Sequence, residues 1–176
     1  MSEYIRVVYA CQTGSRYAPE KTVPLIHGLY DQTWKMQRDA EVGSVMLCCD
    51  GFLMHCLEGE PHAVRSLYRE ICLSRYLCDP MMLYQMSVPT RLYPADSHKL
   101  VLPRTEVRIY LTEHWMEVFN PFWLKDEQIE MLLLYLGDVR GAQYRDATVR
   151  RMERPTTRLL ERLQQGLRWL QWPVSQ

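Results

Sequence analysis

Three side chains in the first third of the chain are of types that could do chemistry: Tyr9, Cys48 and His55. Cys48 and His55 lie in a stretch, 42–59, where two apolar runs flank Asp50-Gly51. Asp-Gly between such runs signals a two-residue type I′ hairpin turn, whose central residues both take φ > 0. A turn that tight places Ser44, Met46, Cys48, Leu53, His55 and Leu57 on one face. Val45, Leu47, Cys49, Phe52, Met54, Cys56 and Glu58 take the other, because side chains alternate along a strand. Cys48 and His55 then share a face, but two ligands are too few to specify zinc, and no metal is expected. The six cysteines (11, 48, 49, 56, 72 and 78) contain no Cys-x-x-Cys, and they read as reduced, buried thiols acting as small apolar side chains. His55 in a central strand reads as a hydrogen-bonded core histidine. No nucleophile–base pair, glycine-rich phosphate loop or paired carboxylates stand at a plausible site, so we expect no enzyme.

The elements that must position these residues follow from periodicity. Both faces of the hairpin are apolar, which places it centrally in a sheet covered on two sides. Glu3 to Cys11 reads as a strand before it. A helix from Thr22 or Val23 to about Asp39 carries an apolar stripe of Leu25, Ile26, Leu29, Tyr30, Thr33 and Trp34. Glu60-Pro61 opens a second helix, with Glu60 suited to the positive end of its dipole. Asp79-Pro80 ends that segment, Met81 to Val88 reads as a strand, and a short strand fits Lys99 to Leu102. The order β-α-β-β-α-β, with one more β, is the ferredoxin-like α+β plan: two helices on one face of a four- or five-stranded sheet.

From Pro103 the texture turns helical. Thr105 to Leu111 alternates weakly and fits a strand or an extended link. Thr112 can cap a short helix through Phe119, and Asp126 caps a clearer one closed by Gly137. A last helix carries Leu160, Leu163, Leu167 and Leu170 at coiled-coil-like spacing, beside Trp169. We divide the chain at 1–102 and 103–176, with the second part a helical C-terminal extension.

The totals bound the function. At 176 residues the chain holds one domain with an appendage, and 47% hydrophobic against 24% charged residues is ordinary for a globular protein. A net charge of zero exerts no general pull on nucleic acid or membrane. Eight arginines between Arg140 and Arg168 read as a solvated helical surface, with docking to an acidic partner or nucleic acid as the alternative. No groove-reading motif supports nucleic acid. The longest apolar run, Met131 to Leu136, is far short of the roughly 20 residues that span a bilayer. The N-terminus lacks the features of a signal peptide, so a cytoplasmic protein is expected.

Residues 4–102 resemble a BLUF domain, the flavin-based blue-light sensor module. IRVVYA is similar to the family's first strand with its tyrosine. DGFLMHCLEGEPHAVRSLYREI is similar to its third strand, Leu-Glu-Gly turn and second helix, and RLYPADSH to its Phe-Pro-x-Trp-Ser-Met end motif. The resemblance implies a tyrosine, a glutamine and an asparagine around the flavin. The tyrosine falls on Tyr9, the glutamine on His55, and the asparagine near Gln37 or Arg38. At the end motif Asp96 and His98 replace tryptophan and methionine. Imidazole cannot present an amide's donor and acceptor in the same place. The expectation is therefore a degenerate, flavin-free member without the family's photocycle. It would be a regulatory or adaptor protein acting on a protein partner, a regulator or an enzyme subunit, or as a homo-oligomer. Trp115, Phe119, Trp123, Leu160, Leu163, Leu167, Trp169 and Leu170, with an uncovered sheet face, are the candidate contacts. An FAD-binding photoreceptor held through Tyr9, Gln37 and His55 is the alternative.

Overall fold

A computed structural model describes residues 4–13, 19–74, 76–77, 79–101, 105–114, 117–138 and 142–143. By its contacts the chain divides into two compact units, Met1–Tyr144 and Arg145–Gln176. The helices after residue 103 that are described thus belong to the same unit as the sheet.

The hairpin forms as its turn residues dictate. Asp50 and Gly51 both take positive φ, 50° and 81°, and β2 (Gly43–Cys49) pairs with β3 (Phe52–Gly59) from Cys49↔Phe52 back to Ser44↔Leu57. Every residue of β2 is buried, as is all of β3 after Phe52. β1 (Tyr4–Gln12) lies antiparallel to β3, with Tyr9 opposite His55. β4 (Met81–Val88) pairs with β1 from outside, and β5 (His98–Val101) runs parallel to β2. A two-residue β6 (Ala142–Gln143), not expected from the sequence, completes the order β4-β1-β3-β2-β5-β6.

Helix α1 (Pro19–Asp39) starts earlier than its capping pattern suggested. Helix α2 (Pro61–Cys72) starts where Glu60 caps it: the carboxylate accepts from the His62 and Ala63 backbone N–H groups at 2.9 Å each. Both helices pack on one face. Ile26, Leu29 and Tyr30 of α1, with Val64, Leu67 and Ile71 of α2, bury against Val7, Tyr9, Met46, Leu53 and Leu57 of the sheet. On the other face of β2, Gly43 is required by close approach: a Cβ on it would lie 2.1 Å from the Tyr93 carbonyl oxygen.

The opposite face is covered as well, as the two apolar faces of the hairpin implied, and this corrects the uncovered sheet face offered as a contact. Thr105–His114 forms a helix, α3, not a strand or link. Thr112 lies inside this helix and does not cap another, and residues 117–120 are not helical. A 3₁₀ turn (Pro121–Trp123), capped by Asn120, leads to α4 (Asp126–Asp138). Val107, Leu111, Phe119, Ile129, Leu132, Leu133 and Leu136 pack on Val8, Val45, Leu47, Met54 and Cys56. Weak alternation misled the reading of α3 because only Val107 and Leu111, one helical turn apart, face the sheet. No helix among the described residues is long and apolar enough to cross a membrane.

Polar ties hold this second layer. Arg6 of β1 reaches Glu58 of β3 and Glu130 of α4, and Tyr84 of β4 donates to the same Glu130 carboxylate. Tyr93 donates its N–H to Glu58 at 2.7 Å and its hydroxyl to the Leu133 carbonyl at 2.6 Å. At the hairpin turn, Asp50 accepts from Arg108 of α3 through both oxygens and from the Phe119 N–H. Against the cost of burial, those donors hold the Asp50 carboxyl below its ordinary pKa.

Candidate functional site

On the face under α1, four polar side chains form one hydrogen-bonded chain. Ser44 Oγ donates to Gln37 Oε1 at 2.7 Å. Gln37 Nε2 lies 3.2 Å from His55 Nε2, and His55 Nδ1 lies 2.7 Å from the Tyr9 hydroxyl. Tyr9 and His55 are 0% exposed, and Gln37 and Ser44 are 1% exposed. Strand pairing makes the centre: Tyr9 and Met46 are the Cα partners of His55 on its two sides. Helix α1 supplies Gln37 in its last turn, next to where Val42 N–H returns to the Gln37 carbonyl at 2.9 Å. Tyr68 of α2 leans over Tyr9, ring centroids 5.3 Å apart.

Burial pushes the His55 imidazole down to about 3, with nearby His98 acting in the same direction. Burial also pushes the Tyr9 phenol well up. Both groups are therefore neutral around pH 7, and a neutral imidazole has one donor and one acceptor nitrogen. With Gln37 Oε1 accepting from Ser44, its Nε2 faces His55 and donates. The imidazole Nε2 then accepts, the ring proton sits on Nδ1, and Nδ1–H donates to the Tyr9 oxygen. Turning over the Gln37 amide reverses the chain: His55 Nε2 donates to Gln37, Nδ1 accepts from Tyr9 O–H, and Ser44 accepts from Gln37. The orientation of one amide is thereby coupled to the tautomer of one imidazole and to the direction of one phenolic hydrogen.

His98 extends the polar row across the sheet. It is the parallel partner of Ser44, it is 7% exposed, and its ring meets Trp34 edge-on at 6.4 Å. Neither of its ring nitrogens has a hydrogen-bond partner among the described residues. Burial holds the His98 pKa down; Asp96 works against that shift and Arg38 with it. Tyr30 of α1 donates to the His98 carbonyl at 2.6 Å and so fixes the helix over this strand.

Tyr9, Gln37 and His55 are brought together, and between Gln37 and Arg38 it is Gln37 that points inward. Arg38 lies at the surface over the Trp34 ring and beside Asp39. Phe119 is fully buried in the second core layer, so it packs the interior and is not presented to a partner, whereas Trp123 is 73% exposed. Trp115, Leu160, Leu163, Leu167, Trp169 and Leu170 lie outside the described residues, as does nearly all of the arginine-rich segment. No group of three or more His, Cys, Asp or Glu suited to a metal ion gathers among the described residues. The role of Ser44 was missed; its place on the His55 face was the available signal. Arg6, a charge inside an otherwise apolar strand, likewise signalled the buried ion pair with Glu58.

Residues 5–99 match the family described as "Sensors of blue-light using FAD". Comparison with curated proteins found no match. Among solved structures, the one titled "BlsA photo-activated state" is similar with a TM-score of 0.70 at 18% identity, over 80% of this chain and 99% of that chain. "BlrB - a BLUF protein, dark state structure" is similar with a TM-score of 0.55 at 15% identity, over 78% of this chain and 97% of that one. A bacterial light-regulated adenylyl cyclase aligns with a TM-score of 0.51 at 18% identity, over 62% of this chain but 32% of its own.

Proposed function

The chain belongs to the BLUF family of flavin-using blue-light sensors, and from that membership we propose that it is a regulatory module that signals by protein contact without the family's amide-based photochemistry. One observation carries this reading: an imidazole occupies the relay position, with both of its nitrogens already engaged by Tyr9 and Gln37. A relay amide can pivot and offer either its oxygen or its NH₂ to a neighbour, whereas an imidazole tied at both ends has neither to spare. The sheet, the two helices over it and the buried tyrosine are all retained. A scaffold that keeps its shape while changing its relay suits a signal passed on by contact.

A second reading, FAD binding at the altered site, is favoured by His98. Its two unpartnered, buried ring nitrogens supply one donor and one acceptor in divergent directions, so one of them would pair with a single carbonyl or N–H of an isoalloxazine. Gln37 keeps a second amide hydrogen beyond the one aimed at His55. These residues fit the cofactor's polar edge: His98 and Gln37 would hold it, with Tyr9 and Tyr68 beside it. When bound, flavin supplies blue-light absorption and an electron acceptor. The chain's own residues would orient it and exclude water through the α1 and α2 core, and they hold the Tyr9 hydroxyl against His55.

A visible spectrum of the purified protein, incubated with FAD and then exposed to blue light, tests the reading. No light-induced shift of any bound flavin band is expected. A reversible shift overturns the proposal and establishes His55 as a working relay. Absence of flavin bands after incubation removes the second reading.

A further inference from the structure

β4 ends the sheet, and among the described residues nothing pairs with its outer edge. An edge strand presents a row of unpaired N–H and C=O groups, and proteins ordinarily blunt it with charge, proline or shortness. None of these devices is present in MMLYQMSV, eight residues with no charge and no proline, although a bulge interrupts its pairing with β1 between the partners of Val8 and Tyr9. Three of its exposed side chains are apolar, with Met81, Met82 and Met86 60%, 42% and 41% exposed, and Gln85 and Ser87 are exposed beside them. The register with β1 divides them. Met86, opposite Arg6, and Met81, opposite Ala10, lie on the α4 face, whereas Gln85, opposite Val7, and Met82, opposite Tyr9, lie on the α2 face.

On the α2 face the edge is bordered by cations. A groove of about 440 Å³ is lined by Glu60, Pro61, His62, Arg65, Ser66 and Arg69. Arg65 reaches β4 itself, its Nε 3.4 Å from Gln85 Oε1. The one acid in the groove, Glu60, is engaged in capping α2. Arg65 and Arg69 are exposed and make no salt bridge among the described residues. Exposed methionines thus stand on both faces of the strand, and the cations Arg65 and Arg69 border the α2 face.

We propose that the β4 edge is a docking site for an extended segment of a partner protein, added as one more strand, with acidic side chains toward Arg65 and Arg69 and apolar ones toward Met81 and Met86. Alternation along the added strand matches the two faces of the edge, because successive side chains point to opposite sides of a sheet. Charge selects this occupant over two others. A second copy paired antiparallel through β4 would bring both α2 helices to the same face and set one Arg65–Arg69 pair against the other. The chain's own segment 145–176 holds seven arginines against three acidic residues. The inference rests on the reading that the protein works by contact, but it is independent of flavin and of light.

The test uses the full chain and three capped ten-residue peptides: alternating Glu and Val, alternating Lys and Val, and the Glu-Val peptide N-methylated at alternate amides. Binding is read by calorimetry, and amide hydrogen exchange is followed across Met81–Val88. The Glu-Val peptide should bind and slow exchange in β4, with the Lys-Val peptide about tenfold weaker or worse. The N-methylated peptide should fail, and Arg65→Glu/Arg69→Glu should reverse the charge preference. Equal binding of the Glu and Lys peptides, or no binding, overturns the proposal. So does protection of β4 without peptide, with a doubled mass in light scattering marking a second copy and a single mass marking the chain's own tail. A flavin photocycle would defeat the proposed function and leave this edge untouched.

Discussion

Replacing His55 with glutamine removes the one titratable group at the centre of the buried polar chain, and its consequence can be worked from the structure. The imidazole has an ordinary pKa of about 6.5 in the unfolded chain and is pushed by burial to about 3 in the folded one. The folded value is the lower, so between these limits the unfolded state binds the extra proton. The stabilisation is whole above about pH 6.5 and is lost as pH falls toward 3. Each pH unit within the interval removes about 1.4 kcal/mol. From pH 7 to pH 5 the native protein should therefore lose about 2 kcal/mol through His55 alone, which for a chain of this length is a fall in Tm of about 4–8 °C. His55→Gln lacks this loss, while the remaining histidines are common to both proteins. Urea denaturation at pH 7, 6 and 5 reads the difference. Whatever its stability at pH 7, the variant's line against pH should be flatter by about 2 kcal/mol over the interval. Parallel lines would refute the burial argument, since they would mean that the imidazole is solvated or paired with a carboxylate. The same variant restores an amide at the relay position, so its spectrum with FAD, before and after blue light, reports directly on the proposed function.

Three further outcomes follow from the second layer. Arg6→Met leaves Glu58 buried without its cation and should cost about 3–5 kcal/mol in urea denaturation, whereas adding Glu58→Gln should recover part of that loss. Phe119→Ala empties a fully buried position and should cost about 3–5 kcal/mol. Trp123→Ala, at an exposed position, should change stability by less than about 0.5 kcal/mol, and equal losses at the two sites would show that α3 and α4 are not packed as described.

The legible parts of the sequence were those governed by local rules. Asp50-Gly51 fixed the hairpin because few residue pairs accept positive φ twice in succession. Once the turn was known, alternation assigned every side chain of β2 and β3 to its face, and this brought His55 and Ser44 together before any coordinates. The closure of the site was less legible. Gln37 and His55 lie 18 residues apart, on different elements, and which of Gln37 and Arg38 turned inward depended on the phase of α1 against the sheet. The second layer was least legible. Val107 and Leu111 give a thin apolar stripe, and Asp50 ties α3 through Arg108 and the following segment through Phe119 N–H. Pairings that distant in sequence leave no periodic trace.

The two layers meet on one strand, and that placement limits how the site can affect the rest of the protein. β3 turns His55 toward α1 and, three residues on, turns Glu58 toward α4. Glu58 is held by Arg6, which also reaches Glu130 of α4, and by the backbone of Tyr93, whose hydroxyl holds the Leu133 carbonyl in the same helix. A strand's alternate side chains share one backbone, so a displacement of β3 at His55 is also a displacement of Glu58. Close-packed layers on both faces leave no slack to absorb it. The Tyr9 side repeats the arrangement: β1 carries Tyr9 to one face and Arg6 to the other, three residues away, and β4 pairs with that same strand. A change in the Tyr9–His55 contact therefore bears on β1 and β3 together, and through Arg6 and Glu58 on α4. β4 pairs with β1 across the same point, its bulge falling between the residues opposite Val8 and Tyr9.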